Sequence, residues 1–276
     1  PASQPAVAVI TRTTGRPELA RSILSVQNQT YLCKHYIFVD SEQYHQQADE
    51  ILIKFATPIV TYLPESTLSE SSIDEIISNL IHEEVICFLN EDCWFEPNHI
   101  EKGVKALSES QKDYAYALRN FYDQEGQFLC IDTIKSLGDY RSEQEPLKCA
   151  YKLGGVDGII QFTIDNTPYI NINSCFLYQD IVKELNHYQY WQYDHNIYPP
   201  LSSLGKRRIC TKTVSLNSTF NPSAFYSSAF NHLLSEPFSL TPKEAYEFAC
   251  EIIVFQAEES FDNWGGRFIW DKDDNL

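Results

Sequence analysis

Short apolar runs alternate with amphipathic stretches along the first 110 residues of the chain. The runs are rich in valine, isoleucine and phenylalanine, the composition of strands buried on both faces of a sheet. They cover residues 6–11, 35–40, 59–63 and 85–90. The stretches between them carry apolar residues at three- and four-residue spacing, which is typical of helices. Helices are predicted after Pro17, over 43–55, around 73–80 and after Pro97. The alternation predicts an α/β fold with a mostly parallel central sheet flanked by helices.

The pattern is less regular beyond residue 110. Strands are predicted over 113–120, 169–178 and 207–216, with long loops or a hairpin over 121–160. The clearest local signal is a helix capped by Thr241, with Pro242 in its first turn and Glu244 completing a capping box. No low-complexity linker divides the chain, so we predict a single domain over 1–276. Its first part would be the region of alternating strands and helices over 1–110. An irregular half over 111–230 and a C-terminal helical extension over 231–276 would follow.

The charge of the chain restricts its partners. Hydrophobic residues make up 43% of the 276 residues, enough for a sizeable core, and the formal net charge is −17. A surface this acidic repels nucleic-acid backbones and anionic membranes, so we expect no nucleic-acid partner. A phosphate-bearing ligand would need a local cationic side chain or a metal ion.

The sequence also indicates a location. No apolar run approaches the ~20 residues of a membrane span, and no signal peptide is visible. None of the eight cysteines forms a CxxC pair, which favours reduced thiols in a cytosolic protein over a zinc site. We therefore expect a cytoplasmic protein without a membrane span.

Polar side chains follow three of the predicted parallel strands. Thr11 and Arg12 end the first strand, Asp40 ends the second, and Asn90-Glu91-Asp92 follows the fourth. Ligands of parallel sheets bind beyond the carboxyl ends of the strands. The sequence therefore predicts a binding site at this edge, with two carboxylates side by side.

Two long blocks and one short one carry a family resemblance. "VAVITRTTGRPELARSILSVQNQTYLCKHYIFVD" (7–40) resembles the opening of family 2 glycosyltransferases with the GT-A fold. "FLNEDCWFEPNHIEKGVKAL" (88–107) resembles the second family block, in which a strand ends in an Asp-rich motif before an aromatic residue, a proline and a helix. "YDHNIYPPL" (193–201) looks like a divergent form of the Glu-Asp block that carries the catalytic base.

The resemblance implies transfer of a sugar from a nucleotide diphosphate donor, often a UDP-sugar, to an acceptor hydroxyl. Residues 1–110 would form the nucleotide-sugar-binding half and 111–230 the acceptor-binding half. The leaving diphosphate would be neutralised by a divalent cation, Mn²⁺ or Mg²⁺. The partners implied are a nucleotide-sugar donor and a carbohydrate or glycolipid acceptor, in the synthesis of a polysaccharide, glycolipid or glycoprotein.

The resemblance also assigns roles to residues. Asp92 would ligate the metal, Glu91 would face the ribose or the metal's waters, and Asp40 would accept a hydrogen bond from the base. Thr11, Arg12, Thr13 and Thr14 occupy the turn that cradles the nucleoside, and Arg12 and Arg16 are candidates for phosphate contacts. The motif departs from the usual Asp-x-Asp, because Asn90 stands where the family often has an aspartate. The simpler roles are a turn cap for Asp92, a helix cap for Asp40, a pair with a surface acid for Arg12 and a solvated charge for Arg16.

Asp194 is the predicted catalytic base of an inverting transfer, which must remove the proton of the attacking hydroxyl. It lies where the family's Glu-Asp pair places its aspartate, although Tyr193 replaces the glutamate. His195 is its rival because a near-neutral pKa suits a base. The simpler role is that Asp194 caps a short helix.

Two further functions compete with transfer. The acidic motif has fewer carboxylates than is usual in the family, and the Glu-Asp block is divergent. Both departures favour a non-catalytic GT-A module that binds a nucleotide sugar or a protein partner. A sugar-phosphate nucleotidyltransferase would need a Gly-rich, basic loop after the first strand, and "TRTTGRP" contains one glycine.

Overall fold

The structure is a computed structural model that describes residues 4–64, 70–131, 170–185, 197–220 and 239–247. The strands are β1 Val7–Thr13, β2 Lys34–Val39, β3 Ile59–Tyr62, β4 Val85–Phe88, β5 Cys93–Phe95, β6 Tyr114–Tyr122, β7 Phe128–Ile131, β8 Cys175–Tyr178 and β9 Arg208–Thr219. The helices are α1 Leu19–Gln27, α2 His45–Leu52, α3 Glu70–Leu80, α4 His99–Ser110, α5 Gln179–Glu184 and α6 Tyr198–Ser203. Short 3₁₀ helices cover Glu42–Tyr44 and Ile172–Ser174.

Four parallel strands form the first half of the sheet, in the order β3-β2-β1-β4. All four residues of β4 are buried, as are all but one of β1. This burial explains their continuous apolar sequences. By contrast, β3 is the edge strand and is mostly exposed or half-buried. The alternation of strands and helices predicted from the sequence is confirmed here.

The sheet continues in the order β8-β6-β9-β5, in which β8 runs antiparallel to both β4 and β6, and β5 runs antiparallel to β9. The short strand β5 directly follows the acidic turn at 90–92 and pairs with β9, where Cys93 lies opposite Ser218. The sequence did not predict β5, because a three-residue strand carries no periodicity. The predicted strand over 169–178 is a 3₁₀ turn followed by β8.

The helix α4 approaches the sheet very closely. A Cβ atom at Gly103 would lie 2.2 Å from Cε1 of Phe176, whose side chain is fully buried. Ile100, Val104 and Leu107 of α4 belong to the same core cluster as Phe176. This contact explains why a residue without a side chain stands in the middle of a helix despite a propensity penalty of about 1 kcal/mol.

The chain divides into two compact units, one of residues 1–119 and 170–218, the other of residues 120–169 and 219–276. In the second unit, residues 120–122 of β6 pair with β7 around a turn at Gly126, which has a positive φ of 83°. This pairing agrees with a hairpin at the start of the range 121–160, and residues 132–160 of that prediction lie outside the described residues. Residues 242–247 are helical, and the capping box is confirmed, since the amides of Thr241 and Glu244 donate reciprocally to each other's side chains at 2.9 and 3.3 Å.

No helix in the parts of the chain that the structure describes has both the length and the hydropathy needed to cross a membrane.

Candidate functional site

The carboxyl ends of β1, β2 and β4 meet at one edge of the sheet. The amide of Asp40 donates to the carbonyl oxygen of Thr13 at 2.9 Å, and the amide of Leu89 donates to that of Ile10 at 2.9 Å. The turns that follow these strands, at 13–16, 40–41 and 89–92, therefore lie side by side. This is the arrangement expected from strand order in a parallel sheet, and it lies wholly within the first compact unit.

Arg12 and Asp40 form an ion pair at this edge. Nε of Arg12 lies 2.5 Å from Oδ1 of Asp40, and their side chains are 15% and 23% exposed. A pair this well shielded from water is screened little by salt. One carboxylate oxygen of Asp40 is thus bound by a cation of the protein.

Thr11 points into the interior. Its side chain is fully buried and its Oγ1 lies 2.8 Å from Nε2 of His35. Burial lowers the pKa of His35 to about 3, so the imidazole is neutral. Thr11 therefore presents no exposed surface to a ligand, contrary to its predicted place in the nucleoside site.

Glu91 binds the turn between β1 and α1. Its Oε2 accepts from Oγ1 of Thr13 at 2.5 Å, and its Oε1 accepts from Nε of Arg16 at 2.8 Å and from Oγ1 of Thr14 at 3.3 Å. The side chain of Glu91 is only 7% exposed, whereas that of Arg16 is 51% exposed. We call this set of Thr13, Thr14, Arg16 and Glu91 the Glu91 clasp.

Gly15 lies inside the clasp and closes the turn. Its amide donates to Oγ1 of Thr13 at 2.8 Å. Its φ is +81°, and a Cβ atom there would lie 2.6 Å from the amide nitrogen of Ala48. Only glycine meets both conditions without strain.

The pKa of Arg16 is raised by the two neighbouring acids, Glu91 and Asp92. Burial lowers the pKa of its guanidinium, but the hydrogen bond to Glu91 and the attraction of Glu91 and Asp92 outweigh this, and the net shift is upward. Arg16 therefore carries a permanent positive charge close to the acidic turn.

The main chain of the acidic turn is held from two further elements. Oγ of Ser22 in α1 lies 2.6 Å from the carbonyl oxygen of Cys93 and 3.1 Å from that of Glu91. On the other side, the amide of Asn90 donates to Oδ1 of Asn173 at 2.7 Å, and Asn173 is itself held by Asn171. The sequence did not reveal Ser22 or Asn173, because a serine in a helix and an asparagine before a strand carry no distinctive pattern.

Asp92 differs from Glu91 in its surroundings. It is partly buried, and its carboxylate accepts a long contact of 3.6 Å from the thiol of Cys93. Burial raises its pKa, although Arg16 acts in the opposite direction. Within the described ranges no cationic side chain lies at ion-pair distance from Asp92, so a bound cation would relieve the desolvation of this carboxylate.

The donor set at Asp92 fits Mn²⁺ or Mg²⁺. Both prefer oxygen ligands, and Mg²⁺ commonly takes one or two protein carboxylates beside substrate phosphates. Where the chain is described, three or more His, Cys, Asp or Glu side chains do not come together as a metal site. Asp92 would therefore hold a cation together with a ligand's phosphate oxygens.

His99 is a core residue. Its Nδ1 lies 2.7 Å from Oγ of Ser215, and its ring stacks on Phe95 with centroids 4.0 Å apart. Burial lowers the pKa of His99 to about 3.

Asp194, the predicted catalytic base, and its rival His195 lie outside the described residues.

The sequence of the chain matches a known family of enzymes. Residues 6–179 match the sequence model of the family described as Glycosyl transferase family 2. No curated protein sequence matches the chain.

Among solved structures, the chain is similar at low identity to crystal structures of TarS from S. aureus. TarS 1–349 is 12% identical with a TM-score of 0.48, over 95% of this chain and 74% of that chain. A second TarS structure gives 12% and 0.48, over 95% and 45%. TarS 1–349 in complex with UDP gives 11% and 0.47, over 94% and 73%.

Proposed function

The chain belongs to glycosyl transferase family 2 and is a glycosyltransferase of the GT-A fold, and from this premise we propose a metal-dependent, inverting transfer from a nucleotide diphosphate donor. The donor nucleotide we propose is UDP. The acceptor is a hydroxyl of a carbohydrate or glycolipid, and the product belongs to polysaccharide, glycolipid or glycoprotein synthesis.

The observation that carries this proposal is the position of Asp92. It is a carboxylate at the ligand-binding edge of the parallel strands, and its pKa is raised by burial while Glu91 beside it is bound by protein. A divalent cation held there supplies charge neutralisation for the diphosphate leaving group. In a chain with a net charge of −17 the average surface offers no such neutralisation.

The nucleoside is proposed to bind across the Arg12–Asp40 pair and the turn of Thr13 and Thr14. Asp40 keeps 23% of its side chain exposed beside Arg12 and can accept a hydrogen bond from a base N–H. The half-exposed guanidinium of Arg16 is available to a phosphate on its outer side.

Asp194 is proposed as the base on the strength of the sequence resemblance. In an inverting transfer the acceptor oxygen attacks the anomeric carbon as the bond to the diphosphate breaks, and the base takes the hydroxyl proton.

Replacing Asp194 by asparagine is expected to slow hydrolysis of the donor by about 10²–10⁴-fold, the usual contribution of a general base. Binding of UDP should be unchanged, because the base acts on the acceptor side. The matched control is His195→Gln. If that variant loses activity and Asp194→Asn does not, the histidine is the base and the assignment is wrong.

A non-catalytic nucleotide-sugar-binding module is the second candidate. One observation favours it. Both carboxylate oxygens of Glu91 accept hydrogen bonds from the protein, so a single carboxylate of the motif, that of Asp92, remains for a cation. Binding without hydrolysis of any donor would select this candidate.

The test of the proposed function is a thermal-shift panel of UDP, GDP and CDP with Mn²⁺ or with EDTA. UDP with Mn²⁺ is expected to raise Tm, since a ligand at 100 times its Kd stabilises the folded state by about 2.7 kcal/mol. EDTA should remove the shift. A shift that persists in EDTA contradicts metal dependence, and a larger shift with GDP or CDP contradicts the assignment of UDP.

Two further predictions remain proposals. We propose one functional domain over 1–276, with the donor site in 1–110. We also propose a cytoplasmic location, supported by the free thiols of Cys33, Cys87, Cys93, Cys175 and Cys210.

A further inference from the structure

We propose that Glu91 is a positioning residue, whose carboxylate joins the β1–α1 turn to the acidic turn and so orients Asp92 and the nucleoside turn toward each other. The inference rests on the proposed function, in which these two turns hold the two ends of the donor. It replaces the direct ribose or water contact that the family resemblance implied for Glu91.

The carboxylate of Glu91 has little capacity left for a ligand. One oxygen accepts from Thr13 at 2.5 Å and the other from Arg16 at 2.8 Å, with Thr14 at 3.3 Å. Only 7% of the side chain is exposed. A donor would have to displace charge-assisted hydrogen bonds to reach it, and these are among the stronger contacts in proteins.

The clasp connects residues that are far apart in sequence. Thr13 and Glu91 are separated by 78 positions; Thr13 is the last residue of β1, and Glu91 lies beyond the end of β4. The Glu91 hydrogen bonds therefore set the separation of the two turns. Ser22 and Asn173 bind main-chain atoms of the acidic turn. Glu91, by contrast, is a residue of the acidic turn whose side chain binds the β1–α1 turn.

The division of roles between the two acids follows from their contacts. Glu91 is neutralised by Arg16 inside the protein, whereas Asp92 has no ion-pair partner in the part of the chain that the structure describes. A carboxylate that orients a neighbouring ligand group typically changes metal affinity by 10–100-fold when it is mutated.

Glu83 offers a matched control at the opposite end of β4. It is 4% exposed, pairs with Nζ of Lys34 at 2.9 Å and accepts from the hydroxyl of Tyr36 at 3.0 Å. Glu83 thus resembles Glu91 in burial and in its partners, a cation and a hydroxyl. It lies before the strand rather than after it, away from the proposed site.

The experiment compares Glu91→Gln, Glu91→Ala, Glu83→Gln and the wild type in Mn²⁺-dependent UDP binding by calorimetry, with Tm as the measure of folding. We expect Glu91→Ala to weaken UDP binding about 10–100-fold. We expect Glu91→Gln to recover part of that loss, because its amide oxygen still accepts from Thr13. Glu83→Gln is expected to lower Tm to a similar extent and to leave UDP affinity unchanged.

A double mutant separates positioning from direct contact. If Glu91 acts through Thr13, the variant Thr13→Val already loses that link, and adding Glu91→Ala, which removes the same link, should weaken UDP binding less than the sum of the single effects. Additive losses of UDP affinity would show that Glu91 contacts the cation or the donor directly. A loss in Glu91→Gln as large as that in Asp92→Asn would show the same. Either result would overturn the proposal.

The outcomes also distinguish this inference from the proposed function. If the wild type fails to bind UDP with Mn²⁺, the proposed function fails and the inference falls with it. If the wild type binds UDP and every Glu91 variant binds equally well, the proposed function stands and the positioning role alone is overturned.

Discussion

Asp92→Asn is expected to abolish Mn²⁺-dependent binding of UDP and, at the same time, to raise the Tm of the ligand-free protein. Asparagine has the same shape as aspartate but no negative charge, so the cation loses its anionic ligand. The loss in UDP affinity should therefore exceed the 10–100-fold that is typical when a residue that only orients a metal ligand is mutated. The gain in Tm follows from the burial of the Asp92 carboxylate, which the fold desolvates without an ion-pair partner among the described residues.

The pH dependence of this gain has a definite sign. Because the pKa of Asp92 is raised in the folded state, its contribution to stability is fully present below the ordinary pKa and is lost as pH rises through the folded pKa. The Tm difference between Asp92→Asn and the wild type should therefore grow as pH rises from 4 to neutral. In the wild type, UDP affinity with Mn²⁺ should fall as the pH is lowered, since a metal ligand must be deprotonated.

The measurement is a Tm series from pH 4 to 8 without metal, paired with calorimetry of UDP and Mn²⁺ at pH 7. Glu50→Gln, at an exposed position of the helix α2, serves as the control for loss of one negative charge. Retention of Mn²⁺-dependent binding in Asp92→Asn would remove the basis of the proposed mechanism. A lower Tm at every pH would show instead that Asp92 stabilises the turn.

Gly103→Ala is expected to have the largest effect on stability. The added methyl carbon would lie 2.2–2.3 Å from three ring atoms of Phe176, far inside contact distance. Overpacking of a core typically costs about 1–3 kcal/mol, and the gain in helix propensity of about 1 kcal/mol offsets only part of the steric clash. A fall in Tm of several degrees should follow.

Two variants test the cause of that fall. Lys105→Ala lies on the same helix but in water, with 63% of the lysine side chain exposed, and should change Tm little. The double variant Gly103→Ala/Phe176→Leu should lose less stability than the sum of its single variants, because the smaller side chain makes room for the methyl group. Strict additivity would show that the clash with Phe176 is not the cause.

The fold of residues 1–110 could be predicted well from the sequence. The strands β1, β2, β3 and β4 were predicted from apolar runs within one or two residues of their observed limits. For β1, β2 and β4 the reason is that strands buried on both faces are apolar throughout. The placement of Asp40 and Asp92 at one edge followed from the rule for the carboxyl ends of parallel strands. The family match confirms the fold and glycosyl transfer.

The partners within the site could not be predicted in the same way. Arg12 was expected to reach a phosphate or a surface acid, and the structure pairs it with Asp40, 28 positions away. Glu91 was expected to face a ligand, and its oxygens are bound by Thr13 and Arg16. The choice depends on which side chains the folded turns bring within about 3 Å, and local sequence carries no signal for that distance.

The sequence by itself determined that the first half of this chain builds a parallel sheet and that Asp40, Glu91 and Asp92 follow the ends of its strands. Only the tertiary structure decided which of the two adjacent acids, Glu91 and Asp92, is bound by side chains of the neighbouring turn. The physical reason is that β1 and β4 are neighbours in the sheet, which brings the hydroxyl of Thr13 and the guanidinium of Arg16 to Glu91 and not to Asp92.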